Sequence, residues 1–402
     1  MKVRVKEIKN KKELSEYLKK LGNTPEGIKI LSQKGKTYLF EIEGIDTRGA
    51  NILKQDAISV GGDCAVPRSA SAFKPGNWTV LLMVNERELK RLAEKLKAQP
   101  YGLKNLGEEL KKAYENYQKE EFSIVYRGRE LPLKKPIVMG ILNVTPDSFS
   151  DGGKFNRVDA AVKRCEEMLN EGAKIIDIGG ESTRPGSDPV PVEEELKRVI
   201  PVIEEVRKRI GNQFFISVDT YKSRVAEEAL NAGADIVNDI SGFRFDERMA
   251  EVVAKFRCPA VVMHIKGKPK DMQKNPYYED VMGEILDYFQ EVFEKAEEKG
   301  VDREQLIVDP GIGFGKRLVD NLCILKNLKE LKVLGRPILL GASRKSFIGK
   351  ITGVEIPEKR LSGSISAAVI GAMNGAKIVR VHDVKETVEA LELLSAIEEA
   401  QC

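Results

Sequence analysis

Eight groups of polar side chains, each closing an apolar run, carry the chemistry available to this chain. Asn143, Thr145, Asp147 and Asp151 follow the first run; Glu181, Ser182, Thr183 and Arg184 end the second; Asp219 and Thr220 end the third. Asn238 and Asp239 close the fourth, His264 the fifth, Asp309 the sixth, Ser343, Arg344 and Lys345 the seventh, and Arg380, His382 and Asp383 the eighth. Carboxylates accept hydrogen bonds, an amide both accepts and donates, and Lys, Arg and His suit an anion. Arg380 and His382, two apart on one strand, point the same way and can grip such a group together. The only two histidines of the chain both belong to this set. One polar strand end reads as a cap or a turn, but eight together are not explained by turns.

The elements that must position these groups can be counted. Strand-like runs cover Ile137–Thr145, Lys174–Ser182, Phe214–Thr220, Ile236–Gly242, Pro259–Ile265, Leu306–Gly311, Pro337–Ser343 and Ile378–Asp383. The first run lacks apolar/polar alternation between Ile137 and Leu142, as expected of a strand covered on both faces in a parallel sheet. A helical pattern follows each run; Lys222–Asn231, KSRVAEEALN, is rich in helix formers. Eight β/α cycles predict a (β/α)8 TIM barrel over 137–402, whose catalytic groups gather at the carboxyl ends of the strands. A doubly wound open sheet is the alternative the same alternation would serve.

Residues 1–121 read as a smaller α/β domain, with strands at Tyr38–Ile42 and Thr79–Val84 and helices near Lys11–Leu21, Ala50–Val60, Glu86–Lys97 and Leu103–Gln118. Residues 122–136 read as a hairpin linker capping the barrel. The Gly/Ser-rich stretch Ser59–Phe73 lacks the spacing of either common phosphate loop. Residues 1–133 carry 26 Lys+Arg against 18 Asp+Glu, and the remainder 40 against 44. The excess over the first segment reads as a solvated Lys/Glu surface rather than a binding face for an anionic partner, and the small net charge does not suggest nucleic acid. No apolar run is long enough to span a membrane, and the start MKVRVKEIKNKKEL lacks a secretory block, so the expected compartment is the cytoplasm. The five cysteines lie far apart without a CxxC pair, against zinc or a disulfide framework.

Laid end to end, the strand ends resemble the dihydropteroate synthase family from about Leu131 to the C-terminus. The segments are MGILNVTPDSFSDGG (Met139–Gly153), DIGGESTRPGS (Asp177–Ser187), SVDT (Ser217–Thr220), VNDISG (Val237–Gly242), VVMHIKGKPKDMQ (Val261–Gln273), DPGIGFGK (Asp309–Lys316), GASRKSFIG (Gly341–Gly349) and VRVHDV (Val379–Val384). Ile265 and the continuation RLVDN after Lys316 depart from the usual pattern without touching these polar groups. The resemblance implies that a dihydropterin diphosphate is condensed with p-aminobenzoate, releasing diphosphate. Asp219, Asn238, Asp309 and Lys345 would hold the pterin, and Asn143, Arg380 and His382 the diphosphate, with Asn143 also contributing to a Mg2+ ion. Phe149, Thr183, Arg184, Pro185, Phe314 and Ser346 would form the aminobenzoate pocket.

The acceptor amine is neutral at pH 7, so neither a covalent nucleophile nor a strong base is demanded. The expected path is loss of diphosphate followed by capture of the resulting cation. Asp151 would stabilise that cation, while Lys345, Arg380 and His382 complete the catalytic set. Asp147–Gly153 is expected to be a mobile flap, and barrels of this family commonly form homodimers through their later helices. A corrinoid methyltransferase with the same pterin contacts is the alternative enzyme, disfavoured by STRPG and SRKSFIG; a non-catalytic pterin-binding protein is the third reading.

Overall fold

The computed structural model describes residues 1–8, 10–145, 154–184 and 186–400, with the backbone alone for 154–156. They form two compact units, Met1–Glu115 and Asn116–Cys402.

In the first unit, helices begin where short polar side chains can satisfy their first N–H groups. Asn10 accepts from the Glu13 N–H at 2.9 Å to open α1 (Lys11–Lys20), and Thr24 precedes α2 (Pro25–Ser32), with Pro25 at its first position. Strands β1 (Thr37–Asp46), β2 (Asp63–Ala65) and β3 (Asn77–Asn85) form an antiparallel sheet in the order β1-β3-β2. Between them run α3 (Thr47–Val60) and the short α4 (Arg68–Ser71), so the Gly/Ser-rich stretch becomes a helix end, an edge strand and a helical turn. Then come α5 (Glu86–Leu96), opened by a capping box between Asn85 and Glu88, and α6 (Leu103–Gln118). Leu53, Leu89, Leu92 and Leu96 bury against Leu82 and Val84 to make this unit's core.

The second unit starts with a hairpin, β4 (Ser123–Tyr126) and β5 (Arg129–Pro132). Eight parallel strands follow: β6 (Ile137–Asn143), β7 (Ile175–Gly179), β8 (Phe215–Asp219), β9 (Ile236–Asp239), β10 (Ala260–Met263), β11 (Leu306–Asp309), β12 (Ile338–Leu340) and β13 (Ala376–Val381). They close into a barrel by pairing β13 with β6, which removes the open-sheet alternative. Every residue of β7 through β12 is buried, the reason these segments read as unbroken apolar runs. The outer helices are α7 (Lys154–Asn170), α8 (Val192–Ile210), α9 (Ser223–Ala232), α10 (Met249–Phe256), α11 (Val281–Glu298), α12 (Leu318–Asn327), the pair α13 (Ser346–Thr352) and α14 (Leu361–Met373), and α15 (Val384–Glu399).

The strands end earlier than the apolar runs suggest. Consequently His264, Ser343, Lys345 and His382 stand in the loops just past β10, β12 and β13. At the opposite end the hairpin is tied down through Asp235, which is fully buried before β9. Asp235 accepts from the Ile216 N–H at 2.9 Å and pairs with both Arg129 and Arg207. Arg129 also donates to the Phe214 carbonyl at 2.9 Å. A carboxylate with two guanidiniums and a backbone donor is the form in which a buried charge is tolerated.

Candidate active site

The registers of four neighbouring strands place Asn143 beside Gly179, Gly179 beside Asp219, and Asp219 beside Asn238. Four residues of one layer thus face the carboxyl end of the barrel from β6, β7, β8 and β9. A Cβ at Gly179 would lie 3.3 Å from that of Asp219, so the missing side chain leaves the acid its space. Asp309 ends β11, and its Oδ1 accepts from the Gly311 N–H at 2.7 Å. Gly311 has φ +69°, and a Cβ there would fall 2.0 Å from the His264 carbonyl oxygen, so this turn requires glycine.

Arg380 organises the acids. Its Nε donates to Asp177 Oδ2 at 2.6 Å and its Nη2 to Asp219 Oδ2 at 2.6 Å. Asn238 Nδ2 reaches the same Asp177 oxygen at 3.1 Å. These two carboxylates raise the already high pKa of the guanidinium further, against the opposing effect of burial. Burial pushes Asp219 up to about 7; Arg380 opposes that shift and the nearby Asp177 charge adds to it. Asp309 is raised for the same first reason, burial, with Lys345 opposing.

Lys345 precedes α13 and turns its ammonium onto the Ile312 carbonyl, 4.5 Å from the centroid of the Phe314 ring. Burial lowers its pKa to about 8, opposed by Asp309 and reinforced by Arg380. Ser346 is exposed at the first position of α13, Thr183 is half-buried and Arg184 exposed.

The reading of His382 as part of a cationic grip is changed by its surroundings. Burial, helped by Arg380 and Arg344, lowers its pKa to about 3, so the ring is neutral near pH 7. The His382 backbone N–H donates to Ser343 Oγ at 3.3 Å, and that hydroxyl lies 3.0 Å from His382 Nδ1. A hydroxyl accepting from the backbone can donate to Nδ1, which leaves the ring proton on Nε2. With Ser343 donating to Nδ1, His382 is a neutral Nε2–H donor, and Arg380 carries the charge. Arg184 also lies near enough to His382 to contribute to its lowered pKa.

His264 belongs to the core beneath the site. It is 5% exposed, its Nδ1 lies 2.9 Å from Lys316 Nζ, and its ring meets Tyr288 edge to face at 4.8 Å. Burial lowers both His264 and Lys316, and Lys316 also donates to the Phe314 carbonyl at 3.1 Å. Phe149, Asp151, Pro185 and the Asp147–Gly153 flap lie outside the described residues.

Asp177 was missed by looking only at strand ends. It is fully buried in the middle of β7, and its Oδ1 has no hydrogen-bond partner among the described residues. An acid inside the apolar run IIDIG was the available signal, because a carboxylate there requires a buried cation or a ligand.

The mouth of the closed (β/α)8 barrel thus gathers buried acids, a carboxamide, a guanidinium and an ammonium. The family model described as "Pterin binding enzyme" matches residues 139–382. The chain belongs to the dihydropteroate synthase family, a family of transferases. It is 50% identical over 270 residues to the dihydropteroate synthase of Escherichia coli K12, covering 67% of this chain and 94% of that one. The dihydropteroate synthase of Xanthomonas albilineans, solved with 4-aminobenzoic acid, superposes with a TM-score of 0.66 at 46% identity, covering 70% of this chain and all of that one. A probable bifunctional folylpolyglutamate synthase/dihydropteroate synthase of Halobacterium salinarum is 39% identical over 373 residues. That match covers 93% of this chain and 44% of the relative, and so extends into the N-terminal unit.

Proposed function

We propose that the barrel condenses 6-hydroxymethyl-7,8-dihydropterin diphosphate with p-aminobenzoate to give 7,8-dihydropteroate and diphosphate. The observation that carries this reading is Arg380 held between Asp177 and Asp219, with Asn238 in the same network. Asp219, Asn238 and Asp309 would accept the 2-amino and ring N–H groups, with the unpartnered Asp177 Oδ1 as a further acceptor. The remaining donors of Arg380 and the Nε2–H of His382 would take the diphosphate, whose negative charge grows as it leaves. Thr183, Arg184, Phe314, Lys345 and Ser346 would hold the aminobenzoate, with Phe149 and Pro185 assigned there by resemblance and Asp151 assigned to cation stabilisation.

Magnesium fits the donor set in a restricted way. Asn143 offers one amide oxygen at the end of β6, and an ion that retains several waters needs few protein ligands. Bound there, Mg2+ would neutralise diphosphate charge. The chain's own residues then have defined tasks: Arg380 and His382 bind the leaving group, the acids fix the ring, and Lys345 orients pterin and amine. The carbon–oxygen bond to diphosphate breaks, its electron pair leaves with the oxygen, and the neutral amine attacks the methylene cation and then loses a proton. A pterin substrate carrying fluorine placed to destabilise that cation is expected to react at least about tenfold more slowly. An unchanged rate of diphosphate release would exclude the dissociative path.

The two shifted groups define a pH dependence. Asp219 must be ionised to accept ring N–H groups, so kcat/KM for the pterin diphosphate rises as pH passes about 7; it falls above about 8 as Lys345 loses its proton. Lys345→Arg keeps the charge and is expected to move the alkaline limb upward. If that limb stays in place, another group governs it.

No helix of the described residues is long and apolar enough to cross a membrane. We place the reaction in the cytoplasm, where small charged substrates of this kind are handled. Catalysis belongs to 137–402, residues 122–136 serve as the cap, and 1–121 receive no chemical role. The partner is a second copy of the chain. Helix α14 carries no charged residue, and with its neighbour α12 it leaves Val319, Leu322, Ile370 and Met373 exposed. A helix without a charged face is ordinarily covered. Sedimentation should give a dimer that Ile370→Glu dissociates; a monomeric parent chain would remove this assignment.

A further inference from the structure

The loop that carries Lys345 is held by residues outside the site. Arg344 has φ +59°, in the left-handed region that a residue with a side chain adopts only when its surroundings impose it. Both of its backbone groups are engaged: its N–H donates to Ser364 Oγ at 2.9 Å, and its carbonyl accepts from Arg360 Nη1 at 2.8 Å. The two clamping residues are themselves joined, since the Ser364 hydroxyl donates to the Arg360 carbonyl at 2.7 Å. The other guanidinium donors of Arg360 bind the Val354 carbonyl at 2.9 Å and the Glu355 carbonyl at 2.5 Å. Gly349 gives that guanidinium its passage, because a Cβ there would lie 2.7 Å from Arg360 Nη2.

The residues on either side of Arg344 point in functional directions. Ser343 is bonded to His382, Lys345 reaches Ile312 across the Phe314 ring, and the Arg344 side chain pairs with Asp383 beside His382. Changing the backbone at residue 344 to a right-handed or extended form would redirect the chain on both sides at once.

We propose that Arg360 and Ser364 are positioning residues for amine transfer, holding Arg344 left-handed so that Lys345 and Ser346 meet the aminobenzoate. This rests on the assignment of Lys345 and Ser346 to the acceptor site. The pterin acids end other strands, so the clamp acts first on the amine and reaches the pterin only through Lys345.

The test is steady-state kinetics with both substrates, and pterin diphosphate binding measured separately, for Arg360→Gln, Ser364→Ala, Arg344→Gly and Arg344→Gly combined with Arg360→Gln. Arg360→Gln is expected to raise the KM for p-aminobenzoate about tenfold, with a distinctly smaller loss of pterin affinity because Lys345 also meets the ring; Ser364→Ala acts in the same direction, more weakly. Glycine adopts this conformation unaided, so adding Arg360→Gln to Arg344→Gly should change the amine KM by less than about twofold. An equal effect of Arg360→Gln in both backgrounds, or an equal loss of pterin affinity, would overturn the clamp. Should Arg360→Gln fail to fold, an unchanged amine KM in Ser364→Ala overturns it alone. Lys345→Ala separates the two levels: an unchanged amine KM there refutes the acceptor assignment, whereas a raised one with a silent Arg360→Gln refutes only the clamp.

Discussion

Replacing Asp219 by Ala is expected to abolish measurable pterin binding. The side chain is buried at the end of β8, and one of its oxygens is already committed to Arg380 at 2.6 Å. A carboxylate retains acceptor sites beyond that bond, and in the proposed complex the pterin edge would supply the N–H groups to fill them. Hydrogen bonds to a charged acceptor contribute about 1.5–3 kcal/mol each, so losing two weakens binding at least about a hundredfold. Arg184→Ala provides the contrast. Arg184 is exposed beyond β7 and is proposed to serve the acceptor side, so its loss should raise the KM for p-aminobenzoate while pterin affinity stays within about twofold. Calorimetric titration with the pterin, alongside amine kinetics, distinguishes the two; equal losses of pterin affinity would contradict the division of the site.

Arg380→Met should have the largest combined effect on stability and turnover. It leaves Asp177 and Asp219 facing each other without their shared cation, in a place where Asp177 is fully buried. Breaking a buried ion pair from one side costs about 3–5 kcal/mol, and on the proposed assignment the diphosphate would lose its charged donor in the same change. Arg380→Lys is not expected to rescue it, because one ammonium cannot reproduce the fork that reaches Asp177 through Nε and Asp219 through Nη2. Denaturant unfolding measures the first effect and product formation the second. A stability within about 1 kcal/mol of the parent would mean that the acids are compensated in another way.

The barrel and most of its mouth were legible because parallel strands covered on both faces leave unbroken apolar runs, and the polar residues that interrupt them mark their ends. Asn143, Asp219, Asn238 and Asp309 all stand where those runs stop. What one sequence hides is pairing across the barrel. Arg380 reads equally well as an anion-binding arginine or as the counterion of two acids, and only closure of β13 against β6 brings it to Asp177, which precedes it by 203 positions. The neutrality of His382 is hidden as well, because its protonation depends on burial and on Arg380 beside it, neither of which follows from residue type. That His264 sits in the core beneath the site is equally hidden, since it follows from Lys316 and Tyr288, packed against it from other elements. The left-handed Arg344 is equally hidden, since its conformation is imposed by Arg360 and Ser364, contacts no local propensity encodes.

The most direct test of the central claim is product formation by the purified chain supplied with 6-hydroxymethyl-7,8-dihydropterin diphosphate, p-aminobenzoate and Mg2+. The account predicts one 7,8-dihydropteroate for each diphosphate released in the presence of the amine, abolished by Asp219→Ala. Pterin binding without dihydropteroate formation, under conditions in which a known synthase turns over, would contradict it.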